Sequence, residues 1–331
     1  MDELKDDNQK QELTDTEPQS EDKIDGDIDP DNNLQFAINP IGAAFIGLIG
    51  SFFLYQIVGG TLTFLVFGMD LESAPVNEFR LMTIGGQILF ILLPALVFAK
   101  IFYTDVGKII RINIPGWQEV LLFIIGLIIL TPLLQSFLYI QNYYIDILAK
   151  NVSFVNSIKS FFDVMNEMLE KTYGDLLKAS NIFELIFVVI VIAVTPAIAE
   201  EAMFRGFIQR SFELKLKPVL AILLTGFFFS ANHFNPYGLI PLFMLGSYFG
   251  FAAYMSRSLV IPVALHFLNN FSAVFMYHFL GDDELLKSNI SIKPDELSSL
   301  VAMFLVLSVL FSGLIILIIK YYSSKKIITE V

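Results

Sequence analysis

The sequence predicts an all-α fold, a polytopic membrane helical bundle with about eight transmembrane helices. Hydrophobic residues make up 55 % of the 331 residues and charged residues only 16 %, whereas soluble domains carry about 25 % charged residues. The mean hydropathy is +0.66. Several uncharged stretches reach the roughly 20 apolar residues that a helix needs to cross about 30 Å of hydrocarbon. These observations exclude an ordinary soluble enzyme.

The first 38 residues predict a disordered acidic N-terminal tail. Residues 1–31 hold 13 acidic side chains and 3 lysines, a net charge of −10, out of −12 for the whole chain. Such a segment buries too little apolar surface to offset the entropy lost on ordering. A solvated linker is favoured over a partner-binding tail. The acidic start is unlike a secretory signal, and no basic surplus indicates a nucleic-acid partner.

Charge-free runs predict the membrane passes. The run 218–256 contains Asn235-Pro236-Tyr237-Gly238, a turn signal that divides it into a helix pair. Five further runs each predict one span: Ile41–Met69, Leu81–Ala99, Val120–Ile145, Ser258–Gly281 and Leu297–Ile319.

The fourth span differs from the others because it must contain charges. Leu185–Ala199 has only 15 uncharged residues, which is too short to cross the bilayer. Its helix is therefore expected to continue through Glu200, Glu201 and Arg205 to about Ile208. This brings the number of predicted passes to eight.

Two segments predict helices at the membrane surface. Residues 146–183 alternate charged and apolar side chains, which indicates an amphipathic interfacial helix, although a plain extramembrane helical loop fits equally well. Residues 103–118, with the single Trp117, predict a second interfacial segment.

The distribution of Lys and Arg predicts the orientation in the cell membrane. With eight passes both termini share one side, and if that side is the cytoplasm the inside segments hold 14 Lys and Arg against 7 outside. Because cytoplasmic loops are enriched in these residues, we expect a multi-pass protein with both termini in the cytoplasm.

Ionisable side chains inside a membrane are costly and usually functional. On a helix, Glu201 and Arg205 stand four residues apart and can pair on one face, whereas Glu200 points about 100° away. Adjacent carboxylates in a low dielectric differ in proton affinity, so one of them can serve as a general base. The alternative is an ion pair that only fixes helix packing. The ionisable residues of the spans are Glu200, Glu201, Arg205, His233, His266 and His278.

His266 and Asn270 also stand four residues apart, so they can share a helix face and stabilise an oxyanion. His233 presents a geometric problem. At 1.5 Å per residue it lies roughly 23 Å along its helix from Pro218, whereas Glu200 lies roughly 12 Å from the predicted inner end of its own helix. The two depths agree only if one helix tilts or protrudes.

Several known intramembrane chemistries are excluded by their missing residues. With no cysteine, a thiol nucleophile and thiolate metal sites are excluded. The sequence contains no HExxH motif, no Gly-x-Ser-Gly loop with a partner histidine, and no aspartate inside a span. The remaining set consists of two glutamates, an arginine, two histidines and an asparagine.

Three motifs in one order carry a family resemblance. They are EExxxR at 200–205, FxxxH at 229–233 and HxxxN at 266–270. Together they make the chain similar, over about residues 183–275, to the CPBP family of intramembrane proteases. This family includes the type II CAAX prenyl endopeptidases and the Abi and bacteriocin-immunity proteins.

The resemblance implies a role for each motif residue. Glu200 would activate the attacking water, and His233 would position that water or share its proton. Glu201 and Arg205 would orient the site.

The same resemblance implies a role for the third motif and raises the question of a metal ion. His266 and Asn270 would stabilise the tetrahedral oxyanion. Members of the family are commonly called metalloproteases, and Glu200, His233 and His266 could bind a divalent ion such as zinc. The same residues could also work as a metal-free site, so no cofactor is assigned.

The predicted organisation has four parts. Residues 1–38 form the tail, 39–182 the N-terminal transmembrane helices with the interfacial helix, 183–280 the protease-like core, and 281–331 the C-terminal loop and last transmembrane helix. The resemblance implies an endopeptidase that cleaves near the membrane–cytosol boundary, acting on a peptide or membrane-protein substrate, lipidated or not, among membrane lipids.

The sequence also leaves open two functions other than proteolysis, and it leaves open the oligomeric state. A non-catalytic immunity or adaptor protein of the same fold is the alternative to a protease. A transporter is disfavoured because no repeated halves are visible. The sequence does not fix the oligomeric state.

Overall fold

A computed structural model describes residues 36–68, 74–281 and 287–329. The predicted tail lies outside the described residues up to position 35. The described residues form helices joined by turns, with one isolated β-bridge between Phe36 and Tyr103. The all-α fold class is confirmed.

Ten helices follow one another along the described chain. Their bounds are α1 Pro40–Phe67, α2 Val76–Phe102, α3 Val106–Ile110, α4 Trp117–Asn151, α5 Ser153–Leu177, α6 Ile182–Glu213, α7 Pro218–Ala231, α8 Leu239–Ser256, α9 Val260–Phe279 and α10 Leu297–Thr329. Seven of them, in the part of the chain with described coordinates, are long and apolar enough to cross a membrane: α1, α2, α4, α6, α8, α9 and α10. The chain is therefore a multi-pass membrane bundle.

The eighth predicted pass, α7, is shorter than a full span. Its 14 residues extend about 21 Å, and it packs along α8 in a hairpin. Two glycines allow this close approach, because a Cβ atom on Gly226 would lie 2.5 Å from Ser247 Oγ and one on Gly246 would lie 2.8 Å from Phe229 Cδ1. Small residues of this kind are typical where membrane helices touch.

The fourth span ends later than the expected Ile208. Helix α6 continues to Glu213, because the polar residues of its last turn find partners in neighbouring segments. Gln209 Nε2 donates to Gly250 O of α8 at 2.8 Å, and the carboxylate of Glu213 pairs with Arg111. The sequence interpretation ended this helix at about Ile208, five residues before its observed end at Glu213.

This longer helix resolves the mismatch in depth. Glu200 lies 13 residues before Glu213, or about 20 Å along the helix. His233 lies roughly 23 Å from Pro218. The two helices therefore bring Glu200 and His233 to similar depths without a large tilt.

Two π-helical turns interrupt α6 on either side of the paired glutamates. They cover Ile190–Val194 and Ala202–Gln209. Such turns are rare and are frequently found at functional sites.

The region 146–183 is helical, but its boundary differs from the expected one. Helix α4 continues to Asn151 and α5 begins at Ser153. Among the residues of its predicted apolar face, Phe161 is 62 % and Met168 68 % exposed, so α5 presents apolar side chains outward. Its location at the membrane surface stays a prediction.

Residues from two spans hold the C-terminal end of α5. Arg80 of α2 is buried and donates to Leu176 O at 2.9 Å and to Lys178 O. His278 of α9 bonds through Nε2 to Leu177 O at 2.7 Å. Positive or polar donors at a helix C-terminus satisfy carbonyl groups that the helix leaves free.

The middle of α5 is tied to the turn that follows His233. The hydroxyl of Tyr237 donates to Asp163 Oδ1 at 2.6 Å, and Lys159 Nζ donates to Asp163 Oδ2 at 2.9 Å. Although burial opposes it, these two hydrogen bonds lower the pKa of Asp163. The carboxylate therefore stabilises the fold above the ordinary carboxyl pKa of about 4, and this contribution is lost as the pH falls through the lower folded value.

We predict that Tyr237→Phe lowers the free energy of unfolding by about 1–2 kcal/mol at neutral pH, because a hydrogen bond to a charged group is lost. The measurement is the thermal unfolding midpoint in detergent. The gap between wild type and variant should shrink as the pH is lowered towards 3. Tyr144→Phe, on the exposed face of α4, is the control, and an equal loss in both variants would contradict the prediction.

Candidate active site

At the centre of the site, one oxygen of the buried Glu201 carboxylate accepts hydrogen bonds from two side chains. Oε1 of Glu201 accepts from Arg205 Nη1 at 2.8 Å and from His266 Nδ1 at 2.7 Å. The side chains of Glu201 and Arg205 are both 0 % exposed. A buried charge persists only when it is paired and hydrogen-bonded, so this cluster fixes α6 against α9.

The guanidinium of Arg205 is also held from α8 and from an aromatic ring. Nη2 donates to Gly246 O at 2.9 Å, and the guanidinium carbon lies 4.3 Å from the ring centroid of Phe229. A Cβ atom at Gly246 would come within 3.3 Å of Nη2. The glycine therefore gives the arginine access to the helix backbone.

Glu200 has a different environment from its neighbour. Its Oε1 accepts from Gln87 Nε2 of α2 at 3.1 Å. Its Oε2 lies 4.0 Å from His233 Nε2 and is buried without a hydrogen-bond partner among the described residues. The carboxylate thus keeps one oxygen available, directed towards the histidine.

The ring of His233 is oriented by the end of its own helix. Nδ1 lies 2.8 Å from Phe229 O, one of the carbonyl groups that the last turn of α7 leaves free. When Nδ1 donates to this carbonyl, a neutral imidazole has its lone pair on Nε2, which faces Glu200. The preceding residue is fixed as well, because Gln56 Nε2 donates to Asn232 O at 3.1 Å.

Asn270 lies on the same helix as His266 but bonds to a different level of α6. Its Nδ2 donates to Ile192 O at 2.9 Å. Four residues later stands Pro196, which has no N–H to offer this carbonyl. Asn269 Nδ2 in turn donates to Asn270 Oδ1 at 3.1 Å. The Asn270 amide has two N–H groups, and the bond to Ile192 O uses one of them, so the other can donate elsewhere.

The structure brings five of the six predicted residues into one cluster around the ring of Phe229. The centroid of that ring lies 4.6 Å from the centroid of the His233 ring and 6.0 Å from that of the His266 ring. The Arg205 guanidinium lies over its face. Asn270, the sixth residue, is placed at the side of this cluster by its bond to α6.

Sequence reasoning missed three polar residues near Glu200. Gln87 contacts it directly, and Tyr55 of α1 and Tyr173 of α5 lie within electrostatic range of Glu200. A signal for Gln87 was present, since it interrupts the apolar run Leu81–Ala99. It was overlooked because amide side chains were considered only on the helix that carries His266.

The residues proposed as metal ligands do not form a ligand set. Nδ1 of His266 is bonded to Glu201, so only its Nε2 could bind an ion. Across residues 36–68, 74–281 and 287–329, no three His, Asp or Glu side chains gather in a way that could hold an ion. We therefore derive no step through a metal.

The geometry now permits comparison with known proteins. Residues 182–272 match the family model described as Type II CAAX prenyl endopeptidase Rce1-like. This segment belongs to the CPBP family. The CPBP segment covers just over a quarter of the chain and contains all six predicted site residues, and the matched family is one of proteases. No curated protein and no solved structure matched the chain.

We predict that Arg205→Met destabilises the protein by about 3–5 kcal/mol, because it leaves the Glu201 carboxylate buried without its cation. The double variant Glu201→Gln with Arg205→Met should recover part of this loss, since no unpaired charge remains. Thermal midpoints and yields of monodisperse protein in detergent measure both effects. Additive losses in the double variant would show that the two side chains are not coupled.

Proposed function

We propose that this protein is an intramembrane endopeptidase in which Glu200 and His233 activate a water molecule. The observation that carries the proposal is the distance of 4.0 Å between Glu200 Oε2 and His233 Nε2. A water oxygen can lie about 2.8 Å from both atoms at that separation. Neither atom makes another hydrogen bond among the described residues, which suits a general base and the group that shares its proton.

In the proposed reaction the water oxygen attacks the carbonyl carbon of a peptide bond while Glu200 accepts one of its protons. The carbonyl oxygen becomes an oxyanion in the tetrahedral intermediate. The C–N bond then breaks, and the proton held by Glu200, with the help of His233, passes to the leaving amine. The products are a carboxyl terminus and a free amino terminus.

His266 and Asn270 are the proposed oxyanion donors. Because Glu201 accepts from Nδ1 of His266, Nε2 can donate only when the ring is an imidazolium. The remaining N–H of Asn270 would supply the second donor.

The proposed substrate is a peptide or membrane-protein segment, lipidated or not, cleaved near the membrane–cytosol boundary. With α7 counted as an eighth pass, the excess of Lys and Arg in the predicted inside segments supports both termini in the cytoplasm. Charged residues at the end of α6, among them Arg210 and Glu213, support that end as the cytoplasmic one. Membrane lipids would be its other partners.

We predict that Glu200→Gln and His233→Asn each reduce cleavage by at least about 100-fold, since general acid–base catalysis contributes about 10²- to 10⁴-fold. The measurement compares the membrane proteomes of cells holding wild type or variant, and looks for protein C-termini that appear only with the wild type. The purified candidate substrate is then tested in proteoliposomes.

His278→Gln serves as the control, because this third histidine contacts Leu177 O away from the site. It should keep cleavage close to the wild-type rate. Cleavage that persists in Glu200→Gln would refute the assigned base. A cellular effect that persists while cleavage is abolished would favour the immunity or adaptor alternative.

A further inference from the structure

A glutamine in the second span is buried against the proposed base. Gln87 of α2 is 6 % exposed and stands in an otherwise apolar stretch. Burying an amide costs free energy unless its groups are hydrogen-bonded. Its Nε2 donates to Glu200 Oε1 at 3.1 Å, whereas its Oε1 is buried without a hydrogen-bond partner among the described residues. The part of the cost that is offset therefore comes from a bond to the residue that the proposed mechanism needs.

A π-helical turn and a tyrosine ring lie beside this amide. Gln87 is the last residue before the π-helical turn Ile88–Leu92, a type of turn that shifts side chains relative to a regular helix. The ring of Tyr55 in α1 packs beside the preceding residue, because a Cβ atom on Gly86 would lie 3.4 Å from Tyr55 Cε2. The amide therefore lies next to α1 and is bonded to α6.

The bond from Gln87 leaves the two oxygens of Glu200 in different situations. Oε1 is engaged by the amide, and Oε2 is the atom that lies 4.0 Å from His233 Nε2. A carboxylate attached to a flexible side chain could otherwise rotate and present either oxygen, or turn away from the histidine. A neutral donor achieves this orientation without adding another charge beside the two glutamates.

We infer that Gln87 is a positioning residue, which directs Oε2 of Glu200 towards His233 and the attacking water. This inference rests on the proposed function and names a residue outside the matched segment 182–272. Gln87 does not touch the reacting atoms, so its effect reaches the reaction only through Glu200.

The test replaces Gln87 in two ways that differ in chemistry. Gln87→Met keeps the length of the side chain and removes the donor. Gln87→Glu keeps the shape and replaces the donor by a carboxyl group, which is an acceptor when ionised and an O–H donor when protonated. Initial rates are measured in proteoliposomes from pH 5 to pH 8, on the substrate identified with Glu200→Gln.

Gln87→Met should lower kcat by about 10- to 100-fold with KM changed less than about 2-fold, because a misplaced catalytic group costs rate rather than binding. Its activity relative to wild type should not vary with pH. Gln87→Glu should be worse at neutral pH and should recover towards wild type as the pH falls, because the introduced carboxyl then donates to Glu200 again.

Gln135→Met and Gln135→Glu are the matched controls. Gln135 is also a glutamine inside a span, and its Nε2 is buried without a hydrogen-bond partner among the described residues. These variants report what the same chemical changes do to folding alone. Their thermal midpoints should fall as much as those of the Gln87 variants or less, while kcat and the pH profile stay those of the wild type.

Wild-type kcat in both Gln87 variants would overturn the inference. It would also be overturned if their loss of activity followed the loss of folded protein, with the same pH profile as wild type. In either case Glu200→Gln remains inactive, so the proposed function stands. Equal cleavage by wild type and Glu200→Gln would instead refute the proposed function, and the role of Gln87 with it.

Discussion

The site depends on one constraint, the burial of the Glu201 carboxylate beside Arg205 and His266. Its side chain is 0 % exposed, and a charge in such a place must be matched by partners from the surrounding helices. Arg205 comes from the same helix, His266 from α9, and the carbonyl of Gly246 completes the arginine from α8. Three helices are thereby placed relative to one another before any substrate binds. The glycine at 246 follows from the same constraint, because a larger residue would push the arginine away.

This constraint explains why two adjacent acids have different environments. Glu201 uses one oxygen for two donors and acts as a fixed counter-charge. Glu200, one residue along the helix, faces α2 and α7, where it meets a neutral amide and a histidine. A residue that must accept and return a proton needs an oxygen without a permanent partner. Both glutamates have such an oxygen among the described residues, and that of Glu200 lies 4.0 Å from His233 Nε2. The pair therefore separates the structural charge from the proposed chemical one.

The sequence predicted the all-α class, seven spans that form helices long enough to cross a membrane, and five residues that lie together in the structure. Helical spacing sufficed for Glu201 with Arg205, because residues four apart are neighbours on any helix. Two features could not be read from apolar runs. The end of α6 at Glu213 depends on polar partners in other segments, and hydropathy does not reveal such partners. The contact of Gln87 with Glu200 joins residues 113 positions apart, which no local pattern encodes.

Backbone carbonyl groups provide much of the polarity of this site. Gly246 O accepts a hydrogen bond from Arg205, Phe229 O from His233, and Ile192 O from Asn270. The latter two lie where a helix end or a proline leaves the regular bonding pattern incomplete. Within a membrane such carbonyls orient polar side chains without the desolvation penalty of further ionisable groups. The site therefore needs no ionisable groups beyond two glutamates, one arginine and two histidines. The orientation of the catalytic groups depends on the interruptions of the helices as much as on the motif residues.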